Sequence, residues 1–109
     1  MDRFEELVGQ ALDGLPEGLA ARMDNVVVCI EEAHPTEDLL GLYEGVPLTE
    51  RDDYGYMELP DTITVYRDPI CGISHDEAEV VEQVRVTVVH EVAHHFGIDD
   101  DALDELGWG

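Results

Sequence analysis

The sequence predicts an α+β fold in which a small mixed β-sheet packs against one long central helix, with helices at the N-terminus and a short one at the C-terminus. Three observations carry this expectation. Val26–Ile30 and Thr62–Tyr66 are runs of strand length rich in β-branched residues. The stretch from about residue 75 to Phe96 keeps helical spacing and is too long for one strand. A chain of 109 residues with 44% hydrophobic content has room for one core, so residues 1–109 read as a single domain.

Residues 2–13 place Phe4, Leu7, Val8, Ala11 and Leu12 on one helical face, with acids in the first turn where the helix dipole favours them. Gly14 ends that helix, and Pro16 opens a shorter one through Leu19 and Met23. Val26–Ile30 is apolar throughout, the pattern of a central strand buried on both faces. Leu39–Leu48 has strand character broken by Gly41, Gly45 and Pro47, and reads as a strand or irregular edge segment near the site. Thr49–Pro60 is polar and reads as a turn or hairpin loop. Thr62–Tyr66 alternates polar and apolar residues, the pattern of a half-buried strand whose edge could pair with an extended peptide.

Ser74-x-x-Glu77 has the form of a capping box, which starts the long helix near residue 75. At about 100° per residue, Val81, Val84, Val88, Val92 and Phe96 gather on the side opposite His90 and His94, while Gln83, Val86 and Thr87 share the histidine side. A helix apolar over most of its circumference is largely buried. Gly97 suits the left-handed position after its end. Asp100–Leu106 forms a last short helix, with Trp108 as a packing lid.

The long helix ends in HEVAHHFGIDD, residues 90–100, the one segment with a chemical specification. His90 and His94 are four apart, so they stand one above the other on the same face and can reach one metal ion. Glu91 flanks them as a general base, and the chain leaving Gly97 can bring Asp100 back to the ion. Zinc suits this set, because catalytic zinc takes three protein ligands and imidazole with carboxylate is a common combination. Asp99, Asp101, Asp104 and Glu105 compete with Asp100 as third ligand, although the turn length favours Asp100. His95 lies about 100° beyond His94 and reads as a packed or supporting histidine. His34 and His75 have no positional case as ligands.

Bulk charge narrows the partners. There are 27 acids against 5 bases, for a formal net charge of −22. Such a surface repels phosphate backbones and anionic lipid, so neither nucleic acid nor membrane is expected to bind. No apolar run is long enough to cross a bilayer, and the acidic N-terminal segment lacks the pattern of a signal peptide. Cys29 and Cys71 are the two cysteines, a number that fits free thiols in a cytoplasmic protein.

At HEVAHHFGIDD the sequence resembles the zincin metallopeptidases with the pattern H-E-x-x-H-x-x-G-x-x-D. The wider stretch, TITVYRDPI through VRVTVVHEVAHHFGIDDDALDELG, is similar to a family of very small bacterial zincin-like proteins. The resemblance implies a minimal zincin fold, with zinc held by His90, His94 and Asp100 and Glu91 as general base. It also implies a peptidase acting through an activated water. The chain departs from larger relatives in its methionines, since Met1, Met23 and Met57 all precede the motif. Two functions from different classes therefore stand: a zinc-dependent metallopeptidase, and a non-catalytic metal-binding or protein-interaction domain on a zincin scaffold.

Overall fold

The computed structural model describes residues 3–45 and 60–108. The loop expected over Thr49–Pro60 falls outside that set except for Pro60. Helix α1 (Phe4–Asp13) buries Phe4, Leu7, Val8 and Ala11 as its spacing requires. Helix α2 (Glu17–Arg22) is capped by Pro16, which lies just before the first turn in extended backbone. Strands β1 (Val26–Glu31), β2 (Gly41–Glu44) and β3 (Asp61–Tyr66) follow. Helices α3 (Arg67–Gly72), α4 (Glu77–His95) and α5 (Asp100–Leu106) complete the fold.

Among the described residues the strands form one sheet in the order β1-β3-β2. β1 pairs with β3 in parallel, Val26 opposite Asp61 through Glu31 opposite Tyr66. β2 pairs with β3 antiparallel, Gly41 opposite Val65 through Glu44 opposite Thr62. This corrects two expectations from the sequence. Thr62–Tyr66 is the central strand, hydrogen-bonded on both sides, so it has no edge to offer a peptide. Its last four residues are all buried, Ile63 and Val65 on one face and Thr64 and Tyr66 on the other. Val26–Ile30, expected in the centre, is flanked only by β3 among the described residues, and Val27 and Ile30 are exposed. An apolar run reports that a strand touches the core, but strand order depends on pairing between distant segments.

α4 is the spine. Val80, Val84, Val88, Val89, Val92 and Ala93 join Phe4, Leu7, Ile63, Val65 and Leu103 in one core. Contacts with α1 on one side and with β2 and β3 on another bury most of its circumference. That packing overrides the modest helix propensity of its many valines. Phe96, expected with the buried stripe, lies past the last helical residue and is 42% exposed.

The start of α4 is shifted from the expected box. Asp76 is the N-cap, and its carboxylate accepts from Glu79 N at 2.8 Å. Glu79 reaches back to accept from His75 N at 3.0 Å. Ser74 is committed elsewhere, donating to Ile70 O at the end of α3, while Glu77 pairs with Arg3. α3 itself has no counterpart in the sequence reading. Pro69 sits in its first turn, where a missing N–H leaves no bond unmade. Among the described residues no helix is long and apolar enough to cross a membrane.

Candidate metal centre

The motif occupies the last two turns of α4 and the turn that follows. Phe96 caps the helix, Gly97 takes φ +76°, Gly97 N donates to His94 O at 3.1 Å and Ile98 N donates to Ala93 O at 2.8 Å. This paired closure requires the left-handed glycine. It turns the chain back along the helix end and seats Ile98 against the core. Asp99 then caps α5, its carboxylate accepting from Ala102 N at 2.8 Å.

His90 and His94 rise one turn apart with rings nearly parallel, 8° between planes and 6.0 Å between centroids. Asp100 is the acid brought back to His94, with Oδ1 3.7 Å from His94 Nε2. Asp99, a competing candidate, has its carboxylate engaged in capping α5. Asp101, Asp104 and Glu105 are exposed on α5. Among the described residues no three His, Cys, Asp or Glu side chains already stand converged as a cluster. The His94 and Asp100 side chains are 58% and 79% exposed, so core packing does not lock either of them in place. Two imidazoles and a carboxylate are borderline and hard donors of the kind zinc accepts, so the residues fit such an ion.

Glu91 is placed by β2. Its Oε1 accepts a hydrogen bond from Tyr43 N at 3.1 Å. Tyr66 N donates to Leu40 O, and in an antiparallel pair inward and outward bonding alternates. Leu42 and Glu44 therefore bond toward β3, while the main chain of Gly41 and Tyr43 faces outward, where Glu91 meets it. A cleft of about 240 Å³ opens beside this contact, lined by Leu39, Leu40, Val86, Thr87, His90 and Glu91 with Asp38 and Gly41. A separate groove of about 380 Å³ between α1 and β1 is lined by Glu5 and apolar residues and contains no residue of the motif.

The remaining histidines have other partners. His95 stacks on Tyr43, with centroids 4.0 Å apart and 21° between planes, and its Nε2 lies 3.9 Å from Asp61 Oδ2. That supporting position agrees with the sequence reading. His34 Nδ1 accepts from Thr36 N and Glu37 N and shapes a local turn, and His75 pairs with Glu79. Tyr43 and Asp61 were missed from the sequence. The available signal was Gly41-x-Tyr43-x-Gly45, which at a strand period of two puts a large ring between two small residues on one face.

A family model described as zincin-like metallopeptidase matches residues 23–108. Among solved structures, a conserved hypothetical protein from Thermus thermophilus is similar, with a TM-score of 0.56 and 23% sequence identity, covering 88% of this chain and 92% of that one. At that identity the likeness speaks for the fold alone. No curated protein matches the sequence.

Proposed function

The chain belongs to the zincin-like metallopeptidase family, and on that basis we propose that it is a zinc-dependent peptidase with His90, His94 and Asp100 as metal ligands and Glu91 as general base. The observation that carries the reading is the joint placement of these groups. His90 and His94 stand on one face of α4, Asp100 returns to 3.7 Å from His94, and the carboxylate of Glu91, next to His90 in the chain, is held by Tyr43 N–H.

Bound zinc would supply Lewis acidity toward the scissile carbonyl and toward water. The chain's own groups do the rest. Because Glu91 Oε1 accepts from Tyr43 N–H, Oε2 is the oxygen that would take a proton from the attacking water and deliver it to the leaving amine. An extended peptide would lie at the cleft beside β2, in place of the edge expected at Thr62–Tyr66. Leu39, Leu40 and Val86 in the adjoining cleft would receive an apolar part of one of its side chains.

The test is cleavage of a broad peptide library by zinc-loaded protein beside Glu91→Ala. The proposal expects hydrolysis in the wild type and a loss of about 10²–10⁴-fold in the variant. Stoichiometric zinc without hydrolysis in either protein would establish the non-catalytic metal-binding scaffold instead.

A further inference from the structure

β2 lies along a single row of α4. Thr87, Glu91 and His95 are four residues apart, so the row rises about 6 Å per step. Gly41, Tyr43 and Gly45 are two apart, which in a strand is about 6.8 Å per step. The two periods nearly match over this short distance, so successive positions meet. A Cβ at Gly41 would fall 2.5 Å from Thr87 Cγ2. Tyr43 N donates to Glu91 Oε1 at 3.1 Å. A Cβ at Gly45 would fall 3.2 Å from His95 Cε1. The two glycines permit the close approach, and between them Tyr43 supplies the one large side chain.

Among the described residues that side chain has two anchors. Its hydroxyl donates to Asp61 Oδ2 at 2.8 Å, and its ring lies on the His95 imidazole at 4.0 Å. Asp61 begins β3, two residues before Ile63, the direct partner of Tyr43. The phenol therefore crosses diagonally to its neighbouring strand on the face that packs on α4. Asp61 is held in a half-buried setting, its side chain 17% exposed.

We propose that Tyr43 is a positioning residue for Glu91: the phenol, tied to Asp61 and seated on His95, holds β2 where its main-chain N–H fixes the Glu91 carboxylate. The consequence for hydrolysis rests on the peptidase reading above, whereas the anchoring does not. Without the anchor, β2 still pairs with β3, but its outward N–H is free to drift from α4. Glu91 then keeps its place in the chain and loses its orientation.

The experiment uses the full-length, isotopically labelled protein and follows amide hydrogen exchange at residue 43 in wild type, Tyr43→Phe, Asp61→Ala and Asp61→Asn. A Glu91→Gln variant, which should shift the Tyr43 amide resonance, identifies the bond being followed. Tyr43→Phe and Asp61→Ala are expected to speed exchange at residue 43 about fivefold to tenfold, with the buried amides of α4 unchanged. Asp61→Asn, which keeps an acceptor for the phenol, should restore wild-type exchange. In zinc-loaded protein kcat should fall by the same factor in the first two variants at constant KM and zinc content, with recovery in Asp61→Asn. Unchanged exchange at residue 43, or a uniform rise across α4 that marks a general loss of stability, would overturn the proposal. A wild type that cleaves no peptide refutes the peptidase reading, and exchange at residue 43 still decides the anchoring.

Discussion

Tyr43 N–H donates to Glu91 Oε1 across 3.1 Å, joining β2 to the motif helix between residues 48 positions apart in sequence. The bond occupies one carboxylate oxygen of a residue that lines the same cleft as His90. It makes the placement of Glu91 a property of the sheet as well as of the helix. Changes in β2 that touch neither histidine should therefore reach the site.

Gly41→Ala tests that link from the strand side. The new methyl would meet Thr87 Cγ2 at 2.5 Å and Thr64 O at 3.1 Å. Thr87 is buried and its hydroxyl donates to Gln83 O, so it does not swing aside freely. The expected cost is about 1–3 kcal/mol, measured by denaturant unfolding. Adding Thr87→Ser, which removes the opposing methyl, should recover part of it.

Gly97→Ala tests the turn. Nothing lies within 4 Å of a Cβ there, so the penalty comes from backbone conformation alone at φ +76°. About 1–2 kcal/mol of stability should be lost, lowering Tm by roughly 5–10 °C. Since Ile98 to Asp100 are aimed by this turn, zinc affinity should fall as well. A variant with wild-type Tm would show that the turn is not held as described.

Tyr66 makes an alkaline prediction. Burial, followed by the charges of Glu31, Glu44 and Glu37, raises its phenol above the ordinary value of 10.0. A raised folded-state pKa means the stability it contributes is fully present below pH 10 and is lost as pH climbs through the folded value. Unfolding free energy should decline above pH 10, and Tyr66→Phe should decline less over the same window. Parallel curves for the two proteins would contradict this.

Local signals were legible in the sequence where their causes are local. The long helix, Gly97 and the short Asp100–Leu106 helix follow from spacing and backbone freedom, and each is present. Strand order was not legible. β1 and β3 are both β-branched and apolar, and which one lies in the centre is decided by pairing across 35 residues, Val26 with Asp61. The cap of α4 was misplaced by two residues because Ser74 and Asp76 both qualify locally. Tertiary demands settle the choice, with Ser74 closing α3 and Glu77 drawn to Arg3. The histidine pair was evident from its spacing, whereas Tyr43 and Asp61 enter the site through strand register, which no single segment encodes.

The central claim is a zinc centre built from His90, His94 and Asp100, and zinc affinity measured by competition with a chelator tests it most directly. The account predicts one zinc per chain in the wild type, with affinity at least about 10-fold weaker in Asp100→Ala. Asp99→Ala should lose about 1 kcal/mol of stability through its cap while binding zinc as the wild type does. A wild type that binds no zinc, or an Asp100→Ala variant that binds it as tightly as the wild type, would contradict the account.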